Sequence, residues 1–258
     1  MGISGSAINK KLKRGVNLLL HTNIIGEGEP ILFLHTGLQT GMTDFEFQRE
    51  YFSKDYKIVL PDLRGHGQSF SNEIENFFED SAKDLLETIN HHHLKTIHLV
   101  GCSLGALVAV KFSKLYPERI NTLSISGVTP VKPDNWLELH KKDVEFQANV
   151  LNNYEATNYF DQLHASDWRQ FIYYGKDENW YPFEDLEAIA GFNFPVLFIV
   201  GEEKPHEAIG AIIYPKANKN VHVAIVPFAG HLVYADQPRI YNNILELFIE
   251  REKPALKR

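Results

Sequence analysis

Short runs of consecutive apolar residues recur along the chain, and stretches with apolar residues at helical spacing separate several of them. The helical pattern is clearest at 77–90 and 106–116. An earlier run, 16–25, predicts one more strand, and the turn residues at 26–30 end it. Alternating strands and helices predict a doubly wound α/β fold with a mostly parallel sheet, buried on both faces. The remaining predicted strands are residues 31–34, 58–60, 97–100, 123–126, 196–200 and 221–226.

The alternation is interrupted once, between residues 128 and 194. A connection of this length needs structure of its own, and its pattern is helical. We therefore predict a core of residues 1–127 and 195–258, with 128–194 as an inserted helical cap. Most of the aromatic residues in this stretch are expected to form the core of the cap, and some to line an apolar pocket beneath it. They are Trp136, Tyr154, Tyr159, Phe160, Trp168, Phe171, Tyr173, Tyr174, Trp180, Tyr181 and Phe183.

Composition narrows the possible partners and the compartment. A formal net charge of −7 argues against nucleic acid or an anionic membrane as the main partner. The single cysteine, Cys102, cannot form an internal disulfide, and no apolar segment is long enough to span a bilayer. These features predict a cytoplasmic protein. Residues 1–6 fit an N-myristoylation pattern, for which a frayed start followed by an edge strand is the alternative.

Residues 101–105 (GCSLG) lie where a predicted strand passes directly into a predicted helix. A chain that turns so sharply favours glycine two residues before and two residues after the tip of the turn. The helix begins at Ser103, so its unpaired N–H groups and the positive end of its dipole face that side chain. The pattern predicts a nucleophile at Ser103, and a purely structural turn is the alternative. Cys102 is the weaker candidate because the turn presents its central residue.

Five stretches, in this order along the chain, together resemble the α/β-hydrolase superfamily. The resemblance covers nearly the whole chain except the predicted cap, and it implies an α/β-hydrolase fold. Residues 34–37 (LHTG) resemble the family's oxyanion loop, and 61–69 (PDLRGHGQS) resemble its Asp-x-Arg-Gly-x-Gly-x-Ser loop. Residues 101–105 resemble its nucleophile elbow. Residues 194–202 (FPVLFIVGE) resemble the strand before its catalytic acid, and 229–231 (AGH) resemble its histidine loop.

The resemblance implies a role for each residue of a hydrolytic site. Ser103 is the nucleophile and His231 the general base, and the backbone N–H groups of Gly37 and Leu104 form the oxyanion hole. No cofactor and no metal are expected. Consecutive histidines do not share a face of a helix, so residues 91–93 make a poor metal site.

The third member of the triad departs from the family pattern. When the Gly-x-x-Asp loop of the family is aligned on Gly201, the acid position holds Lys204, which would repel an imidazolium. A shift of one residue would bring Glu203 to this position, so Glu203 is the first choice for the acid. The other nearby carboxylates are Glu202 and Glu207.

Three further residues in the motifs have expected structural roles. His35 is expected to be buried and to brace its loop, and His66 lies in a turn motif that is usually structural. Thr36 replaces the glycine that usually follows the histidine of the oxyanion loop, which affects how that loop approaches the substrate.

The motifs and the aromatic cap together predict a serine hydrolase that acts on a small to medium apolar ester or related acyl substrate. If no acid reached His231, the chain would instead be a ligand sensor with little or no catalytic activity. A lyase or a carbon–carbon bond hydrolase with the same triad is a further alternative, because this fold supports many reactions.

Overall fold

The computed structural model describes residues 17–252, which form one seven-stranded sheet with helices on both faces. The strand order is β1-β3-β2-β4-β5-β6-β7, and only β1 runs antiparallel to its neighbour. The strands are β1 (Thr22–Ile25), β2 (Pro30–Leu34), β3 (Lys57–Pro61), β4 (Ile97–Cys102), β5 (Ile120–Ser126), β6 (Val196–Gly201) and β7 (Val221–Val226).

Eleven α-helices connect or follow these strands in the described range 17–252, together with short 3-10 turns at Pro117–Arg119 and Ala188–Gly191. No helix within those residues is long and apolar enough to cross a membrane. The helices are α1 (Glu46–Phe52), α2 (Phe77–His91), α3 (Leu104–Leu115), α4 (Trp136–Leu151), α5 (Tyr154–Leu163), α6 (Arg169–Tyr174), α7 (Phe183–Glu187), α8 (Pro205–Ala208), α9 (Gly210–Ala217), α10 (Val233–Asp236) and α11 (Pro238–Glu252).

The two faces of the sheet bury separate apolar clusters because successive side chains of a strand point to opposite faces. Leu32 and Leu34 of β2 join the cluster that contains side chains of α2 and α3. Ile31 and Phe33 of the same strand join the cluster that contains side chains of α1 and α11. The predicted doubly wound α/β architecture is therefore confirmed.

The first predicted strand is shorter than the apolar pattern suggested. Residue 16, like the N-terminal motif at 1–6, lies outside the described residues, and 17–21 form no strand. The Leu18 N–H donates to Asp84 Oδ1 at 2.6 Å, and the Leu20 N–H donates to Thr88 Oγ1 at 3.1 Å. Side chains of α2 thus take N–H groups that a strand would pair with its neighbour, and pairing begins only at Thr22.

The segment between β5 and β6, residues 127–195, contains α4 to α7 and a 3-10 turn, and it contains no strand. It is tied to the loop that follows the carboxyl end of β3. The Ala165 N–H donates to the Gly67 carbonyl at 2.8 Å, and the Ser71 N–H donates to Ser166 Oγ at 2.9 Å. We call it the inserted segment, and these bonds hold it beside the edge where an α/β sheet binds its ligand.

A buried ion pair fixes the same loop. Arg64 donates from Nε and Nη2 to the two carboxylate oxygens of Asp84 at 2.7 and 2.8 Å, and both side chains are buried. Asp62, in the same loop, accepts the N–H groups of Gly41 and Gln68, each at 2.9 Å. Charge-assisted bonds of this kind position the backbone around the site.

Candidate functional site

Ser103 lies at a strained turn between β4 and α3. Its φ and ψ are 53° and −122°, a conformation that L-residues seldom adopt. A side chain at Gly101 would place its Cβ 2.6 Å from the Gly105 carbonyl oxygen, so glycine is required there. The Ser103 N–H donates to the Ser126 carbonyl at 3.0 Å, which anchors the turn to the neighbouring strand β5.

Two backbone N–H groups near Ser103 donate to no protein acceptor in the part of the chain that the structure describes. One belongs to Leu104, the first residue of α3, and the other to Gly37 in the loop after β2. Both residues border the same cavity as Ser103. The helix dipole of α3 adds partial positive charge at this point, so the arrangement can stabilise a developing oxyanion.

The threonine at position 36 has a structural explanation. Its N–H and its hydroxyl both donate to Asp44 Oδ2, at 2.8 and 2.9 Å, and the Tyr234 hydroxyl donates to the other oxygen of Asp44. The Asp44 side chain is buried, so these bonds replace the water that it loses on folding. Thr36 thus fixes the loop while leaving the next N–H, that of Gly37, without a protein partner.

The carboxylate beside His231 is that of Glu207, at 2.7 Å between Oε1 and the imidazole Nδ1. Glu207 is 7% exposed, whereas Glu203 is exposed and makes no hydrogen bond to His231. The prediction of Glu203 as the partner of His231 is therefore corrected to Glu207. Glu202 is occupied elsewhere, since its Oε1 accepts the Phe228 N–H at 2.8 Å.

The short helix α8 explains why the partner lies four residues beyond Glu203. Pro205 is the first residue of α8 and Lys204 is its N-cap. Side chains of a helix tilt towards its N-terminus, so Glu207 in the first turn points back towards the end of β6. Pro205 after a strand is the signal that could have predicted this helix, because proline favours the first helical position.

The turn before His231 is held by hydrogen bonds to residues on each side of it in the chain. The Gly230 N–H donates to Asp236 Oδ2 at 2.8 Å, and the Glu203 N–H donates to the Ala229 carbonyl at 3.1 Å. The loops after β6 and β7 thus run side by side. This arrangement places the imidazole next to Glu207 and leaves 38% of the His231 side chain exposed.

A cavity of about 320 Å³ opens on Ser103 and His231, and we call it the apolar chamber. Its other walls are almost entirely apolar, and its charged or titratable lining is limited to His231 and Tyr174. The remaining lining residues are Thr36, Gly37, Leu38, Phe77, Leu104, Phe146, Gln147, Val150, Phe171, Ile172, Gly175, Trp180 and Leu232.

A second cavity of about 550 Å³ also opens on Ser103 and His231, and we call it the charged chamber. It shares Phe146, Gln147 and Trp180 with the apolar chamber, so the two adjoin at Ser103. Its lining differs in carrying five charged or titratable side chains besides His231. They are Asp143, Tyr181, Lys204, His206 and Glu207.

The aromatic residues of the inserted segment divide between lining and packing. Of the eleven identified from sequence, Phe171, Tyr174 and Trp180 line the apolar chamber, and Trp136, Tyr181 and Trp180 line the charged one. Trp168 is instead fully buried against Phe160.

Sequence reasoning missed Phe146, which is 73% exposed yet borders both chambers from α4. Its position between Glu145 and Gln147 in the polar sequence of α4 gave no sign of that role.

Cys102 is fully buried, and burial raises the pKa of its thiol well above the ordinary value. A thiol without a thiolate form is a poor nucleophile, which agrees with Ser103 as the reactive residue of the turn. No cluster of three or more potential metal ligands occurs within residues 17–252.

Three buried histidines, His35, His66 and His164, lie together behind the oxyanion loop, with ring centroids of His66 4.9 Å from His35 and 5.7 Å from His164. His35 accepts the Leu63 N–H on Nε2 at 2.9 Å. His164 accepts the Gly67 N–H on Nδ1 at 2.8 Å and donates from Nε2 to the Leu38 carbonyl at 3.1 Å. Protonation at the accepting nitrogens would break these bonds. The inserted segment thus braces the oxyanion loop through His164, a residue that sequence reasoning did not single out.

The histidine cluster predicts loss of stability in mild acid. Desolvation lowers the pKa values of His35, His66 and His164, although Asp62 and Asp44 partly oppose the shift at His35. The folded state therefore binds fewer protons than the unfolded state, in which a histidine has a pKa of about 6.5. The free energy of unfolding should be highest above about pH 6.5 and should decrease as pH drops through the lowered pKa values. The decrease should be up to about 1.4 kcal/mol per pH unit for each ring.

Urea unfolding at intervals between pH 8 and pH 5 measures this slope. The variant His164→Gln keeps a donor for Leu38 but cannot titrate, so its slope should be shallower. His91→Gln is the matched control, because His91 is exposed at the end of α2. A free energy of unfolding that stays constant across this range would contradict the prediction.

Comparison with known proteins indicates the same class of fold. A sequence model of the family described as alpha/beta hydrolase fold matches residues 29–171, more than half of the chain. The chain is 29% identical over 133 residues to an uncharacterized hydrolase, YcgS, of Bacillus subtilis, with 51% of this chain and 44% of that protein covered. It is 30% identical over 118 residues to an (E)-2-((N-methylformamido)methylene)succinate hydrolase of Acinetobacter baylyi, with 46% and 44% covered. Each match thus spans less than half the length of that relative.

Solved structures resemble the chain over most of its length. NosK from Streptomyces actuosus has a TM-score of 0.76 and 24% identity, covering 88% of this chain and 100% of that one. A thermophilic esterase from Thermogutta terrifontis, solved with malate bound, has a TM-score of 0.72 and 20% identity, covering 91% and 94%. At these identities the likeness concerns the fold.

Proposed function

Because the chain belongs to the α/β-hydrolase fold family, we propose that it is a serine hydrolase that cleaves a small to medium apolar ester, or a related acyl compound, through an acyl-enzyme. Ser103 is the nucleophile, His231 the general base and Glu207 the acid. The observation that carries the proposal is the 2.7 Å contact between Glu207 and His231 Nδ1, at a cavity that His231 shares with Ser103.

In the first half of the reaction, Ser103 Oγ bonds to the carbonyl carbon of the ester while its proton passes to His231 Nε2. The electron pair of the carbonyl bond moves to the oxygen, and the N–H groups of Gly37 and Leu104 donate hydrogen bonds to this negatively charged oxygen. The carbon–oxygen bond to the alcohol then breaks, and His231 returns its proton to the departing oxygen. Water repeats the sequence on the acyl-enzyme and releases the acid.

Glu207 fixes the imidazole for both proton transfers. Its carboxylate accepts a hydrogen bond from the Nδ1–H group, which keeps the proton on Nδ1 and leaves the lone pair of Nε2 free to act as the base. When His231 is protonated, the buried negative charge of Glu207 stabilises the imidazolium. The alternative of a non-catalytic ligand sensor depends on the absence of an acid beside His231. The contact of His231 with Glu207 argues against that alternative.

The apolar chamber suits the acyl part of the substrate. Gly37 and Leu104 line this chamber and not the charged one, so a carbonyl oxygen between their N–H groups directs the acyl chain towards its apolar walls. At about 320 Å³ the chamber has room for a short acyl chain. Residues 128–194 act as the cap in this proposal, over a core of residues 1–127 and 195–258.

Labelling with a fluorophosphonate tests the proposal without knowledge of the substrate. The reagent forms a covalent bond with an activated serine, so the folded protein should be labelled on Ser103 and the Ser103→Ala variant should not. Peptide mapping identifies the labelled residue, and a heat-denatured sample serves as the control. Absence of labelling on folded protein, or equal labelling of the Ser103→Ala variant, would overturn the proposal.

A further inference from the structure

The two chambers that meet at Ser103 differ in charge. The apolar chamber has no lysine, arginine, aspartate or glutamate in its lining. Among residues 17–252, the charged chamber has Lys204 as its only lysine or arginine, and Asp143 and Glu207 as its carboxylates. Glu207 is hydrogen-bonded to His231, which leaves one cation and one carboxylate available to a bound molecule.

Lys204 is held at the histidine side of the site. As the N-cap of α8, it is three residues before Glu207, and its Cε lies 3.9 Å from the position that a Cβ on Gly230 would occupy. Its ammonium forms no ion pair and no hydrogen bond with any residue between 17 and 252. The stem of Lys204 therefore lies close to the histidine loop, and its charge has no counterion among residues 17–252.

We propose that Lys204 binds a carboxylate carried by the alcohol portion of the substrate, so that the preferred substrate is an apolar acyl ester of a hydroxy acid. This inference rests on the proposed function. The acyl portion occupies the chamber that Gly37 and Leu104 line, so the alcohol portion occupies the other. His231 must protonate the departing alcohol oxygen, and Lys204 extends from the loop beside that histidine.

Asp143 limits what else the charged chamber accepts. It lies on α4 of the inserted segment and is exposed, whereas Lys204 belongs to the core side of the same chamber. A substrate carboxylate close to Asp143 would be repelled, so the arrangement favours a single carboxylate on the core side. A cationic alcohol would be favoured only if Asp143, and not Lys204, determined selectivity.

Three esters that share an acyl group separate these cases. The butyrate ester of glycolic acid carries the carboxylate, the butyrate ester of glycolamide is its neutral counterpart of similar shape, and butyrylcholine is cationic. We expect kcat/KM of the wild type to be about tenfold higher for the glycolate ester than for the glycolamide ester, chiefly through KM. The preference should shrink in 0.5 M NaCl, since the lysine is exposed and salt screens its charge.

The variant Lys204→Met keeps an apolar stem and should lose the tenfold preference, because kcat/KM for the glycolate ester falls towards that for the glycolamide ester. Lys204→Arg should retain the preference. Asp143→Asn removes the opposite charge from the same chamber, and it should leave the preference unchanged or increase it. Retention of the glycolate preference in Lys204→Met, or equal losses on both esters, would overturn the role of Lys204.

The same assays separate failure of this inference from failure of the proposed function. A wild type that hydrolyses the glycolamide ester and reacts with fluorophosphonate, but shows no glycolate preference, refutes only the carboxylate site. Preference for butyrylcholine that Asp143→Asn abolishes would assign selectivity to Asp143 instead. A wild type that hydrolyses none of the three esters and is not labelled refutes the proposed function itself.

Discussion

The Ser103→Ala variant is expected to hydrolyse a butyrate ester with kcat lowered by about 10⁶-fold, which is of the order measured when the serine of a hydrolase triad is removed. Without Oγ no acyl-enzyme forms, and only the N–H groups of Gly37 and Leu104 and the substrate-binding walls remain to act on the carbonyl. Steady-state kinetics with p-nitrophenyl butyrate measure the loss. The KM should change far less than kcat, since the chamber walls are unchanged.

The backbone at position 103 supplies a control for folding. Its positive φ strains any residue with a Cβ, so alanine should leave the melting temperature close to that of the wild type. The Ser103→Gly variant relieves the strain and should melt at a higher temperature while being equally inactive, although the added freedom of the unfolded chain reduces the gain. A Ser103→Ala protein that is folded and retains more than about one hundredth of the wild-type kcat would contradict the assignment.

The order of strands and helices was predictable because each apolar run is long enough to cross a buried parallel sheet. Residues 196–200 are all apolar and residues 97–100 have His98 as their one polar residue, and the structure places both runs within the interior strands β4 and β6. The glycines at 101 and 105 predicted the turn at Ser103, since a side chain at Gly101 would collide with the Gly105 carbonyl. Local sequence was therefore enough to predict the strands and the turn, because each depends mainly on residues within its own segment.

The parts that escaped prediction depend on contacts between segments far apart in the chain. Residues 17–21 form no strand because Asp84 and Thr88, more than sixty residues later, take the N–H groups of Leu18 and Leu20. His164 contacts Leu38 across 126 residues, and no local pattern predicts that pairing. The carboxylate partner of His231 was missed for another reason: alignment by residue count placed Lys204 opposite the family position, while α8 turns Glu207 back towards His231.

The separation of Lys204 and Glu207 gives the loop after β6 two tasks. The single turn of α8 directs the Glu207 carboxylate towards His231. Position 204, which would otherwise hold the acid, can therefore carry a lysine. In the proposed reaction, Glu207 balances the imidazolium, and Lys204 faces the portion of the substrate that leaves. The proposal thus assigns catalysis and selectivity to two residues that lie three positions apart on the same loop.

Glu207→Gln is expected to lower kcat by about 10⁴-fold, the loss typical of a triad whose acid becomes an amide. The amide can present N–H to Nδ1, which forces the proton of the imidazole onto Nε2, where it can no longer accept the proton of Ser103. The imidazolium also loses the buried charge that balances it. Steady-state kinetics of the variant with p-nitrophenyl butyrate measure this effect, and circular dichroism shows whether the fold is retained.

Glu203→Gln is the matched control, since it makes the same change four residues earlier on the same loop. Glu203 is exposed and has no contact with the imidazole, so its kcat should stay within about twofold of the wild type. Glu207→Asp keeps the charge on a shorter side chain and should fall between the two, because the carboxylate then reaches less far towards Nδ1. If Glu203→Gln were the inactive variant and Glu207→Gln the active one, the acid would have to be reassigned to Glu203, and the loop after β6 would need a different conformation in the working enzyme.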